Sequence, residues 1–278
     1  MPIRYHIESS PIGVSQSFDS PTVYLDHWAL RDLCDDSALQ DRFVAGLSRA
    51  GGTLLMSHMN FAEFAAVEDA GTCDRGEAFL SRVFPNIYFS EFNIDKAIQQ
   101  EEAQSLLVIK QRLAPPSDPQ MLRAFAHRYP VTSPAMQGFI AEVHQHRVFM
   151  KAKMDGVNSR IAARLLAQRS DPSFVKAARS TPIDNGRVAT KLVFGELMRD
   201  FVLDNTSSVE PNDAMDMQHA TVSLAYCDFV LLDGKFADKV RRMKDRMAGA
   251  NMAMPIAACY SKRDNGVDQF LSSLESWS

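Results

Sequence analysis

Four carboxylates stand at positions from which they could jointly hold a hard divalent cation. Asp26 closes the apolar run Val23-Tyr24-Leu25, and Asp233 closes Phe229-Val230-Leu231-Leu232. Glu63 lies on a helical stretch after Thr53-Leu54-Leu55-Met56-Ser57, and Asp216 lies early in a long helical pattern. Mg²⁺ or Mn²⁺ takes oxygen ligands and keeps several waters, so a few converging carboxylates suffice for a site. In an open α/β sheet, ligands bind beyond the carboxyl ends of the strands. Two of these acids end strands and two open helices, so all four can meet at one rim.

Each position also has a purely local explanation. Asp213, Asp216 and His219 recur every third residue and share one helix face. Asp213 suits an N-cap, its carboxylate accepting backbone N–H groups. His219 reads as an orienting neighbour, a phosphate contact or a packed neutral histidine. Glu63 follows Asn60 by three, which fits a capping box, and Ser57 or Asn60 could start that helix. Asp26 could simply end its strand. The four acids gain weight from falling in register with one fold.

The elements that must position them alternate. Short apolar runs at 22–26, 53–57, 87–92, 228–232 and 255–260 read as strands. Between them lie helical patterns at about 27–50, from about Asn60, up to about Arg112, 213–225 and 237–247, with a final short helix at 267–274. Residues 1–20 read as an extended lead-in. Ala114-Pro115-Pro116-Ser117-Asp118-Pro119 marks a break, and 120–205 is helix-rich without clear strands. The expected fold is α/β in three layers, with a central, mostly parallel sheet of at most five strands and right-handed crossovers. The core spans 20–112 and 186–278, and 113–185 forms a helical insertion or an elaboration on the same core.

At 278 residues the chain is long enough for a substantial core, and its 46% hydrophobic, 23% charged composition is that of a soluble globular protein. No apolar run approaches the roughly 20 residues of a membrane span, and the N-terminus lacks a signal-peptide core. Cys34, Cys73, Cys227 and Cys259 are scattered without metal-ligand spacing, which argues for reduced thiols and a cytoplasmic location. The net charge of −4 conceals an asymmetry: residues 123–199 carry thirteen Lys/Arg against five Asp/Glu. A basic surface beside an acidic pocket suits a polyphosphate substrate, although a solvated helical face explains the excess equally well.

Val23-Tyr24-Leu25-Asp26, Asn60-Phe61-Ala62-Glu63, Asp213/Asp216 and Leu231-Leu232-Asp233 together resemble the PIN domain family of metal-dependent ribonucleases. The closest match runs from Asp216-Met217-Gln218-His219 through the apolar strand to Asp233. The resemblance covers about 22–110 and 186–275 and leaves out the helical middle, which is longer than anything in the small toxin-type members. It implies that Asp26, Glu63, Asp216 and Asp233 hold Mg²⁺ or Mn²⁺ and catalyse hydrolysis of RNA. Asp213, His219, Asn60 and Ser57 would support them. Without metal, four such carboxylates repel one another and should be partly protonated. Arg160, Arg164, Lys176, Arg179, Arg187 and Lys191 would guide the RNA backbone. DNA is cut by the same chemistry. A homodimer and an antitoxin or other protein partner are further expectations from the family.

Other readings of an Asp after the first strand fit less well. A haloacid-dehalogenase phosphatase needs a second Asp two residues on, where Trp28 stands, and a response-regulator receiver is far shorter. A Rossmann domain needs a glycine-rich turn in place of His27-Trp28-Ala29. The serious rival is a catalytically degenerate PIN-like module that binds RNA or protein, its carboxylates serving as caps.

Overall fold

The computed structural model describes residues 3–8, 12–67, 69–103, 114–129, 136–183, 188–204, 208–252 and 254–277. Its strands are β1 (Ile3–His6), β2 (Gly13–Gln16), β3 (Thr22–Leu25), β4 (Thr53–Met56), β5 (Ile87–Phe89), β6 (Phe229–Leu231) and β7 (Ala258–Tyr260). β1 and β2 pair antiparallel, and the other five form a wholly parallel sheet in the order β5-β4-β3-β6-β7.

Alternation along each strand splits the core in two. Val23, Leu25, Leu54, Met56, Ile87, Phe89, Phe229 and Leu231 point to one face, and Tyr24, Leu55, Tyr88 and Val230 to the other. The first face is covered by α1 (His27–Asp35), α2 (Ser37–Ala50), α3 (His58–Ala65) and α4 (Ala70–Val83). Beyond α5 (Ile94–Ala103), α6 (Pro119–Arg128) and α7 (Phe139–Gln145) join this layer through Phe125, Phe139 and Ile140. Next in the chain come α8 (Arg147–Ser170), α9 (Pro172–Ser180), α10 (Ala189–Leu203), α11 (Asp213–Tyr226), α12 (Gly234–Gly249) and α13 (Gly266–Glu275). The second face is covered by α5, α10, α11 and α12, while α13 packs on the first. The result is an α/β fold in three layers whose central strand, β3, is buried on both sides. Helices from the 113–185 stretch therefore pack on the same core as the sheet. The expected boundaries near 112 and 185–186 lie outside the described residues, as does the end of the helix expected to reach Arg112.

Two local expectations change. The extended lead-in pairs with itself: β1 and β2 make a hairpin, and the Gln16 side-chain amide bonds both Phe89 N–H and Phe89 C=O at 2.9 Å. That amide substitutes for a further strand and blunts the open edge of β5. The helix expected over 27–50 is two helices. Asp36 adopts an extended conformation and its carboxylate accepts from Ala38 and Leu39 N–H, so capping defeats continuation. α2 then ends at Gly51, whose φ of 65° is left-handed. Among the described residues no helix is long and apolar enough to cross a membrane.

Candidate functional site

The chain leaves β3 towards β4 on one side and, after its long excursion, returns to β6 on the other. The carboxyl ends of β3 and β6 therefore flank the point where the winding direction reverses, which is where open α/β sheets form their ligand crevice. Asp26 and Asp233 stand at these two strand ends, locked together because Asp26 N–H donates to Leu231 C=O at 3.0 Å.

Both are also helix caps. The Asp26 carboxylate accepts the N–H of His27 at 2.9 Å and the backbone N–H of Asp233. Asp233 Oδ1 accepts from Phe236 N–H at 2.7 Å. Capping and ligation are compatible, because the cap fixes where the carboxylate points. Burial, and then the charge of Asp233, push the Asp26 carboxyl up to about 6.

Glu63 and Asp216 differ from these two. Among the described residues neither carboxylate accepts a hydrogen bond or meets a cation. Burial followed by the charge of Asp26 pushes Glu63 up to about 8. Burial, then Asp26, Glu63, Asp233 and Asp213 in turn, push Asp216 up to about 9. Each of the two thus registers the charge of its neighbours, and the four acids form one electrostatic unit around the β3/β6 crevice.

The polar neighbours behave differently from several sequence expectations. Asp213 is not the N-cap of α11; Asn212 holds that place without a side-chain bond. Asp213 instead turns back to accept Glu210 N–H at 2.7 Å and pairs with Lys235 at 2.5 Å, so its charge is already matched. The capping box of α3 is formed by Ser57 and Asn60, not by Asn60 and Glu63. Asn60 Oδ1 accepts from Ser57 N–H and hydroxyl, which leaves Glu63 free of any capping duty. His219 is the packed neutral histidine. It is 2% exposed, with Phe92 edge-on at 4.9 Å, and burial followed by His58 holds its pKa down to about 3. It is too deep to contact a phosphate. Its Nδ1 lies 3.0 Å from the hydroxyl of Tyr24, a residue the sequence reading took only as part of a strand.

The donor set suits a hard cation. Every carboxylate is an oxygen ligand, and two have no other partner. Among the described residues no three His, Cys, Asp or Glu groups stand close enough to form a ready cage. An ion that retains its waters does not need every carboxylate in direct contact.

Arg160 and Arg164 are exposed on α8, and Lys176 and Arg179 on α9. α8 packs against α3 and α11, the two helices that carry Glu63 and Asp216. Lys191 pairs with Glu102 at 3.0 Å, and Arg187 lies outside the described residues. No family model, curated protein or solved structure matches this chain.

Proposed function

We propose that this chain is a PIN-like nuclease that hydrolyses RNA phosphodiester bonds with Mg²⁺ or Mn²⁺ held by Asp26, Glu63, Asp216 and Asp233. The observation that carries this reading is the pair Glu63 and Asp216, half-buried carboxylates that meet no donor or cation among the described residues, beside two further acids at the topological switch point. A buried charge without a partner is costly, and such sites persist where a ligand supplies the missing charge. The order of acids also supports it: one after the first sheet strand, one on a helix after the second, one opening the helix before the fourth, and one after the fourth.

When bound, the metal would acidify a water and stabilise charge on the scissile phosphate. The chain's own contribution is to aim Asp26 and Asp233 by their caps and to hold Glu63 and Asp216 in a partly dry crevice. Both of the latter carry protons near neutral pH, so cation binding displaces protons and tightens as pH rises. α8, whose exposed Arg160 and Arg164 would hold the phosphate backbone, packs against the site-bearing helices α3 and α11, and α9 with Lys176 and Arg179 packs against α8.

The test is Mn²⁺ calorimetry on the wild type, Asp26→Asn and Asp233→Asn, with cleavage of labelled single-stranded RNA and DNA in Mn²⁺ or EDTA. The expected result is wild-type binding that both variants weaken, with metal-dependent cleavage of RNA. Unchanged binding in both variants, or cleavage that survives EDTA, sinks the reading. Cleavage of DNA alone corrects the substrate.

A further inference from the structure

A continuous chain of buried hydrogen bonds links three of the elements that carry the carboxylates. Ser57 N–H donates to Asn60 Oδ1 at 2.9 Å. Asn60 Nδ2 donates to the Tyr24 hydroxyl at 3.3 Å, and that hydroxyl lies 3.0 Å from His219 Nδ1. Burial keeps the imidazole neutral. With Asn60 donating to Oη, the Tyr24 hydroxyl can donate to Nδ1, which puts the imidazole proton on Nε2, a buried atom without a hydrogen-bond partner among the described residues. All four residues are at most 2% exposed.

The members of this chain are spaced like the acids above them. Tyr24 lies in β3 and Asp26 follows two residues on, just past the strand's end, so the strand period carries both to the same side. Asn60 and Glu63 are three apart on α3, and Asp216 and His219 are three apart on α11, so each pair shares a helix face. The hydrogen bonds therefore join β3, α3 and α11 within one strand or helix repeat of the points where these elements present their carboxylates. Apolar packing alone would tolerate sliding of the helices over the sheet. Directional bonds of about 3 Å do not, because a buried donor or acceptor that loses its partner costs about 1–3 kcal/mol.

From this register we infer that Tyr24 and His219 are positioning residues, setting the spacing of Asp26, Glu63 and Asp216 for a divalent cation. The inference rests on the metal-site reading above. Neither residue contacts the cation or substrate. Each acts by fixing the elements on which the ligands ride.

The test uses the full-length chain and Mn²⁺ alone. Mn²⁺ affinity is measured by calorimetry for the wild type, Tyr24→Phe, His219→Leu and His219→Asn, with the fold of each checked by circular dichroism. Tyr24→Phe keeps the ring and removes the link, so affinity should fall about 10- to 100-fold, the usual cost of losing an outer support of a metal ligand. His219→Leu should fall likewise. His219→Asn places an amide oxygen near the former Nδ1 and should retain most of the affinity. Wild-type binding with unchanged affinity in Tyr24→Phe overturns this inference alone, whereas a wild type that binds no Mn²⁺ overturns the metal site with it. If Tyr24→Phe does not fold, equal affinities for His219→Asn and His219→Leu overturn the inference.

Discussion

Two groups of acids are withdrawn from water in this molecule, one fully and one partly, and their surroundings are opposite. At the seam between α10 and α12, Asp200 receives Arg242 through Nε at 2.8 Å and Nη2 at 2.6 Å, Arg246 at 3.2 Å and Lys239 at 3.6 Å. Glu196, one turn away, takes Arg246 at 2.9 Å and Arg199 at 3.3 Å. Lys239 is 1% exposed and also lies 4.3 Å from the centre of the Phe201 ring. Burial pushes the Asp200 carboxyl up, but the Arg242 bonds and the surrounding positive charge outweigh it and hold the pKa below the ordinary value. At the β3/β6 crevice, burial is joined by further negative charge, and Asp216 and Glu63 rise. Desolvation raises the carboxyl pKa in both clusters; the presence of cations separates them. The seam acids have their counter-charges in the fold. Glu63 and Asp216 have none among the described residues, and the proposed metal site rests on that difference.

The strongest way to break this contrast is to remove Asp200. Asp200→Ala leaves Lys239, Arg242 and Arg246 facing one another at a buried seam. Unfolding in urea should show a loss of about 3 kcal/mol, the low end for breaking a buried pair, since Arg242 remains partly open to water. A loss below about 1 kcal/mol, ordinary for a point substitution, would show that the seam is not what closes α10 onto α12.

The crevice should respond in the opposite direction. Asp26, Glu63 and Asp216 have folded pKa values near 6, 8 and 9, above their unfolded values near 4. The folded chain thus keeps protons that the unfolded chain has released, and metal-free stability falls as pH rises from about 4 to about 9. Asp200, with its depressed pKa, contributes stability above the ordinary carboxylate range that is lost as pH falls through its folded value. Asp216→Asn should therefore raise the metal-free Tm at pH 8 by about 2–4 °C, the effect of one kcal/mol in a chain of this size. It should have little effect at pH 4, and Mn²⁺ should reverse the order of wild type and variant at pH 8. A variant less stable than wild type at pH 8 in EDTA would mean that Asp216 is already satisfied in the fold.

The smallest effect sharpens the same point at the surface. Lys191 and Glu102 pair at 3.0 Å with both side chains about half exposed, so Lys191→Ala should change stability by less than about 0.5 kcal/mol. A larger change would mark that pair as part of the packing between α5 and α10.

Much of the architecture could be read from local sequence, because strand runs and helix patterns report burial along the chain. The apolar runs ending at Leu25, Met56 and Leu231 became the three inner strands, and Asp213–Tyr226 became the expected helix. The N-terminal hairpin was not legible, since its strands are only four residues long, too short for the alternation Ile3-Arg4-Tyr5-His6 to stand out. Nor was the break at Asp36, where a cap competes with an otherwise helical pattern. The chain through Tyr24 and His219 was hidden for another reason: its partners are 195 residues apart.

Sequence by itself determined that Asp26 and Asp233 would close apolar strands and that Glu63 and Asp216 would ride on the adjoining helices. It did so because strand and helix periods are properties of neighbours along the chain. Only the tertiary structure decided which acids would meet a cation. Asp213 found Lys235, 22 residues on, and Asp200 found Arg242, 42 residues on. Glu63 and Asp216 found none among the described residues. Charge compensation acts through space over a few ångströms, and it was the folding of α12 against α10 and α11 that assigned those cations elsewhere.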